Sequence, residues 1–168
     1  MPDQRDAEYL EYVRSAVPKL RRLAFVLTQD AHRGDDLVQN TLLKLFTRWG
    51  RARRVEDLDA YARKILVRMF LSDRRTGWAQ RVQLFDDVPE RPQPESDPST
   101  RMVLSDALAT LPPKQRATLV LRFYADLSVE QAATALGCPV GTVKSHTARG
   151  LAALRRALPD DASNQARS

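Results

Sequence analysis

Four of the ten prolines, Pro89, Pro92, Pro94 and Pro98, fall within ten residues of one another. This cluster constrains the fold more than any other feature of the chain. Each proline disfavours helix at the residue before it. The surrounding stretch, Phe85 to Thr100, adds Asp86, Asp87, Glu90, Glu95 and Asp97 against a single Arg91. A segment so acidic and so poor in apolar side chains cannot bury enough surface to offset the entropy of ordering it. It reads either as a long surface loop or as a linker. Both flanks read as complete helical units, which favours a linker over residues 79–100. With 168 residues the chain has material for one medium domain or two small ones. The expectation is all-α: two small helical domains, residues 6–78 and 101–158, with a short polar tail (159–168) too small to fold.

The first flank is helical by its periodicity. Leu10, Val13, Val17, Leu20, Ala24 and Leu27 recur at steps of three and four, and Pro18 is expected to kink or restart that helix. Asp30 is placed to cap a second helix, whose expected buried face is Leu37, Val38, Thr41, Leu42, Leu45, Phe46 and Trp49. A basic loop, Gly50 to Arg54, follows. Asp57 or Asp59 then caps a third helix with Tyr61, Ile65, Leu66, Met69 and Phe70 as its apolar set. No alternating strand pattern interrupts these helices.

In the second flank, Val103, Leu104, Ala107, Leu108 and Leu111 form a short amphipathic helix that Pro112 and Pro113 end. Pro113 suits the first turn of the next helix, with Ala117, Val120, Leu121 and Phe123 facing inward. Ser128 with Gln131 three residues on has capping-box spacing. The alanine-rich run Val129 to Leu136, the turn Gly137-Cys138-Pro139 and a longer helix from about Gly141 to Leu158 then describe a helix-turn-helix. Ala132 and Ala133 permit close approach of the two helices. Val143 and Leu151 face the core, which leaves Thr142, Lys144, Ser145, His146 and Arg149 outward.

Charge narrows the function. The chain carries 27 Lys and Arg against 21 Asp and Glu, a net +6, which favours a polyanionic partner. Residues 44–81 hold eleven basic and four acidic side chains, and residues 140–158 hold four basic and none acidic. Short polar donors and cations at the start of a helix suit base edges in a major groove, and Arg155 and Arg156 further along suit phosphates. A plain helical hairpin with a solvated face is the competing reading, disfavoured by the absence of any acid between Val140 and Pro159.

An enzyme is not expected. With only His32 and His146 there is no plausible Ser/His/Asp set, and no glycine-rich phosphate loop occurs. Asp35 and Asp36 are adjacent, so on a helix they diverge by about 100°. The single Cys138 reads as a packing residue in the turn. No cofactor or metal is called for, and no stretch approaches the ~20 apolar residues of a membrane span. A cytoplasmic protein is expected.

In the first flank one phrase stands apart: Asp35-Asp36-Leu37-Val38-Gln39-Asn40-Thr41-Leu42-Leu43-Lys44-Leu45-Phe46. Physically it is a helix with one apolar side and a second side presenting Asp36, Gln39 and Asn40. Its carboxylates are equally explained as dipole-favoured surface residues. The phrase resembles the polymerase-binding segment of bacterial sigma factors, specifically the small two-domain extracytoplasmic-function group of the sigma-70 class. The runs Leu111 to Arg116, Arg122 to Tyr124 and Leu127 to Ala133 resemble that family's fourth region, and Gly141-Thr142-Val143-Lys144-Ser145 is similar to the start of its promoter-reading helix. The combination most resembles the actinobacterial SigE-like subgroup, over about residues 8–158.

The resemblance implies a transcription initiation factor with core RNA polymerase and promoter DNA as partners. Asp35, Asp36, Leu37, Gln39, Asn40 and Leu45 would dock on the clamp of the largest polymerase subunit. The third helix, with Tyr61, Arg63, Lys64, Arg68, Ser72, Arg74 and Arg75, would read and open the minus-ten element. Ser128, Glu130, Gly141, Thr142, Lys144, Ser145, His146 and Arg149 would bind the minus-thirty-five duplex. Strand opening needs cations for the backbone and an aromatic face or pocket for an unstacked base. Tyr61 and Phe70 are candidates for that face, although their helical spacing also suits a core. Asn40 stands where the family often carries an acid, and Arg68 where it often carries asparagine. His146 reads equally as a base contact or as a solvated histidine.

About 22 residues of extended linker reach at most roughly 70 Å, about two turns of duplex, so both domains can engage one promoter together. A stand-alone helix-turn-helix regulator is the alternative, and it predicts that Asp36 and Gln39 are dispensable. Family members are often held inactive by an anti-sigma partner on the same faces.

Overall fold

The computed structural model describes the backbone of residues 3–84 and 98–159, and the side chains of 3–73 and 103–159. The acidic stretch around Pro89, Pro92 and Pro94 and the tail from Asp160 onward lie outside the described residues. Every regular element among those described is helical. The chain divides into two compact units, Met1–Asp87 and Val88–Ser168.

In the first unit, α1 (Gln4–Thr28) and α2 (Ala31–Thr47) form a tight hairpin, and α4 (Leu58–Leu84) packs against both. Helix α1 runs 25 residues without a break, with Pro18 inside it, so no second helix restarts there. Pro18 and Arg14, whose carbonyl loses its helical partner, are both on the exposed side. The freed carbonyl is on the side open to solvent, while Ala16, Leu20, Leu23, Ala24 and Leu27 hold the inner side in the core. The Asp30 carboxylate caps α2 by accepting from the Arg33 amide at 3.1 Å. Leu27, Leu45 and Leu66 are fully buried where α1, α2 and α4 meet, each contributing roughly 2 kcal/mol of transfer free energy.

Three further details depart from the periodicity. The stretch after α2 is not a plain loop: Trp49–Ala52 forms a short helix, α3, with Trp49 and Ala52 buried. Trp49 therefore belongs to the next element, its indole between Tyr9 at 5.4 Å and Tyr12 at 5.9 Å. Phe46 is 48 % exposed rather than buried, with only an edge-to-face contact to Tyr9 at 5.1 Å. Of the two candidate caps of α4, Asp57 accepts from the Ala60 amide at 3.0 Å. Asp59 instead accepts from the Tyr12 hydroxyl at 2.8 Å. Burial, and then that carboxylate, raise the Tyr12 pKa. Helix α4 runs on to Leu84 and α5 begins at Pro98, so helix occupies both ends of the stretch 79–100.

The second unit contains α5 (Pro98–Thr110), α6 (Pro113–Leu119), a π-helical turn (Val120–Tyr124), α7 (Val129–Leu136) and α8 (Val140–Ala157). Pro113 opens α6, as its fixed φ suits. Arg116 is buried, and its Nη2 donates to the carbonyls of Ala109 at 3.0 Å and Leu111 at 3.1 Å, tying the end of α5 to α6. Phe123 was expected inside and is 60 % exposed. The wider π turn advances less rotation per residue. Phe123 and Tyr124 are thereby carried away from the side that buries Ala117, Val120 and Leu121. Leu104, counted in the apolar stripe of α5, is also exposed.

The capping box is complete: Ser128 Oγ accepts from the Gln131 amide at 3.0 Å, and Gln131 Oε1 accepts from the Ser128 amide at 2.9 Å. Ser128→Ala should cost the second unit about 1 kcal/mol, and Gln131→Ala somewhat less. Denaturant unfolding of both variants followed by hydrogen exchange in α7 checks this.

Candidate functional site

Two surfaces carry the side chains singled out in the sequence, one in each unit. In the first unit, the packing of α2 on α4 leaves an open cleft of about 1040 Å³. Its α2 wall includes Asp36, Gln39 and Asn40, and its α4 wall includes Tyr61, Lys64, Arg68 and Ser72. Residues assigned to separate tasks, polymerase docking and strand opening, thus share one depression. The sequence offers no direct sign of this, because the two sets lie more than twenty residues apart. The cleft also recruits Arg33, Lys44 and Arg48, which the sequence reading did not select. Their signal was only the general excess of basic residues. With Lys64 and Arg68 they outnumber Asp36 and Asp73, so the rim is cationic.

Tyr61, Lys64, Arg68 and Ser72 recur at helical steps along the cleft side of α4, with Tyr61 and Lys64 half-buried and Arg68 and Ser72 exposed. Ile65 and Phe70 are buried and form its apolar floor with Met69. Phe70, at 2 % exposure, is a core residue and presents no stacking face to a base. Arg63 is half-buried and does not line the cleft. Arg74, Arg75 and Trp78 lie on α4, with side chains outside the described residues.

Two assignments on α2 require correction. Leu37 is 8 % exposed and Leu45 is 0 % exposed; Leu45 is enclosed in the core, and Leu37 shows only a small edge to the cleft. The large apolar side chains that this helix does present are Leu43, 64 % exposed, and Phe46. Asp35 is half-buried and engaged within the chain, accepting from Arg21 Nε at 3.2 Å. Asp36, Gln39 and Asn40 are exposed.

In the second unit, α7 and α8 pack closely about Gly137, whose φ of 69° and amide bond to the Ala133 carbonyl at 2.9 Å end α7. Ala132, Ala133 and Ala135 are buried between the helices, and Val143 is fully buried beneath α8. Leu151 is only half-buried. Its neighbour Gly150 is the residue that lets α8 approach α6, since a Cβ there would meet Leu119 Cδ1 at 3.0 Å. On the remaining side of α8, Gly141, Lys144 and Arg149 are exposed and Thr142, Ser145 and His146 are half-buried. Thr142, Ser145, His146 and Arg149 fall at positions i, i+3, i+4 and i+7, one face of the helix. Ser128 and Glu130 sit at the start of α7, both exposed, with the Ser128 hydroxyl already accepting the cap bond. Cys138 is a half-buried free thiol in the turn.

Among the described residues no group of His, Cys, Asp and Glu could hold a metal ion, and no helix is long and apolar enough to cross a membrane.

Comparison with known proteins bears on both surfaces. Residues 101–154 match the family described as Sigma-70, region 4, and residues 13–60 match the Sigma2 domain of PhyR. The chain is 38% identical to the RNA polymerase sigma-E factor of Streptomyces coelicolor, over 90% of this chain and 86% of that one. It is 34% identical to the ECF RNA polymerase sigma factor SigE of Mycolicibacterium smegmatis, over 94% of this chain and 64% of that one. In structure it is similar to the sigma factor RpoE of Bartonella quintana, solved in complex with the anti-sigma factor NepR. That match has a TM-score of 0.71 and 27% identity, covering 89% of this chain and 96% of that one.

Proposed function

The chain belongs to the extracytoplasmic-function group of sigma-70 RNA polymerase sigma factors, and we propose how its two units divide the work of starting transcription. The protein is a transcription initiation factor that joins core RNA polymerase and directs it to promoters. What carries the division of labour is the cleft between α2 and α4. Asp36, Gln39 and Asn40 rise on one side of it, and Tyr61, Lys64, Arg68 and Ser72 on the other.

The outer edge of α2 docks on the clamp of the largest polymerase subunit through Asp36, Gln39 and Asn40. Leu43 and Phe46 supply the apolar contact earlier assigned to Leu37 and Leu45. Asn40 accepts and donates hydrogen bonds there without adding charge. Across the cleft, Lys64 and Arg68 draw the phosphate backbone of the minus-ten element towards α4. Tyr61, half-buried beside them, offers a ring on which an unstacked base can rest. Ser72 lines the same cleft; Arg63, which does not, and Arg74 and Arg75 further along the helix serve as additional strand contacts in this reading. In the second unit the start of α8 enters the major groove of the minus-thirty-five duplex. Gly141, Thr142, Lys144, Ser145, His146 and Arg149 face it, with Ser128 and Glu130 at the edge. The chain supplies no catalytic group; polymerase performs the chemistry, in the cytoplasm. The relative solved with an anti-sigma factor supports a further partner of that kind for this chain.

The deciding experiment is in vitro transcription by purified core polymerase on a pool of genomic promoter fragments. The intact protein is compared with the Asp36→Ala, Gln39→Ala double variant. Specific start sites should appear with the intact protein and fall at least about tenfold with the double variant, as for loss of central interface contacts. Footprints on duplex DNA without core enzyme, together with no specific starts, would instead establish the stand-alone regulator.

A further inference from the structure

His146 sits on the reading face of α8 with its two ring nitrogens in different surroundings. Among the described residues, Nδ1 is enclosed with no hydrogen-bond partner, whereas Nε2 is not an enclosed, unsatisfied atom. An imidazolium would carry a proton on both nitrogens, and one of those N–H groups would then be enclosed without an acceptor. The groups that face the ring oppose that form as well. Lys114 comes from α6 and Arg149 from one turn further along α8. No carboxylate of the other helices packed on α8, neither Asp106 of α5 nor Glu130 of α7, is among the groups that act on it. Burial, then Lys114 and Arg149, hold the His146 pKa below the ordinary 6.5.

A neutral imidazole keeps one proton, and the nitrogen environments decide where. An enclosed N–H without an acceptor is the rarer and costlier arrangement, an enclosed lone pair the more tolerable. The proton therefore resides on Nε2, and the ring presents a single N–H donor outward. In the major groove a donor meets different edges at different bases. Guanine offers two acceptors, N7 and O6; cytosine offers the N4 amino donor, which repels it.

We propose that His146 is a specificity-determining residue of the minus-thirty-five reader, acting as an uncharged Nε2–H donor that favours guanine and rejects cytosine at one position of the duplex. This rests on the reading of α8 as the promoter helix. Lys144 and Arg149 on either side supply the phosphate attraction, so His146 is free to select without charge.

The test is selection from a randomised duplex DNA library by the full chain bound to core polymerase, run at pH 6.5 and pH 8. The intact protein should enrich a motif in which one position favours guanine over cytosine by about tenfold, equally at both pH values. His146→Ala should lose the preference at that position only, leaving the others as internal evidence of folding. His146→Gln should move it towards adenine, whose N7 and N6 edge suits an amide. A motif unchanged in His146→Ala, or a guanine preference that grows on acidification, overturns the proposal while leaving the promoter-binding reading intact. No enriched motif from the intact protein would overturn both.

Discussion

Leu45→Ala should destabilise the N-terminal unit by roughly 3 kcal/mol, the cost of a large-to-small change at a fully enclosed core site. Leu43→Ala, two residues away, should leave stability within about 0.5 kcal/mol of the parent, as expected for an exposed position. The side chains differ in the same sense as their exposure, 0 % at Leu45 and 64 % at Leu43. Binding to core polymerase should show the reverse order once folded protein is compared. Leu43→Ala, or more strongly Leu43→Asp, should weaken it about tenfold, an ordinary loss for an apolar anchor at an interface. Both tryptophans, Trp49 and Trp78, lie in the N-terminal unit, so their fluorescence during urea unfolding follows that unit. A full-strength Leu43→Asp complex would remove this face of α2 from the docking surface.

Arg116→Met should cost the C-terminal unit about 3 kcal/mol. Arg116 is 3 % exposed, and its Nη2 serves two carbonyls, those of Ala109 and Leu111, at the junction of α5 and α6. Methionine fills much of the volume and donates nothing, so both carbonyls lose their partner where water enters with difficulty. Arg116→Lys keeps the charge, but its shorter ammonium must reach the place of the single Nη2 that serves both acceptors, and it should fall between the two. Hydrogen exchange of amides in residues 103–157 measures the loss. Unchanged tryptophan unfolding in the same protein shows that it is confined to this unit. Equal protection in Arg116→Met and the parent would refute the bridging role.

The elements legible in the sequence are those set by near neighbours along the chain. Asp30 caps α2, Pro113 opens α6, and Ser128 with Gln131 closes the start of α7, because each bond spans three residues or fewer. The helix-turn-helix was readable for the same reason: small residues at Ala132 and Ala133 and a left-handed Gly137 act within one turn. The resemblance in the run from Asp35 to Phe46 then pointed to a role that periodicity alone left even with a plain surface helix.

Sequence reasoning erred where a residue's fate depends on what stands opposite it. Pro18 does not divide α1 in two: it stands on the exposed side, while leucine packing holds the other side in the core. Phe123, expected inside, turns outward because a π turn shifts the helix phase. Periodicity places Leu37 and Leu45 on the buried face of α2 and the resemblance places them on the docking surface, and their exposures of 8 % and 0 % agree with the periodicity. By itself, then, the sequence determined an all-helical chain, its main caps and the helix-turn-helix, all products of short-range bonds and helical period. Tertiary structure alone decided that Asp36, Gln39 and Asn40 share a cleft with Tyr61, Lys64 and Arg68, and that Phe46 and Phe123 stand outward. Side-chain burial is a property of the space between helices, and that space exists only once they pack.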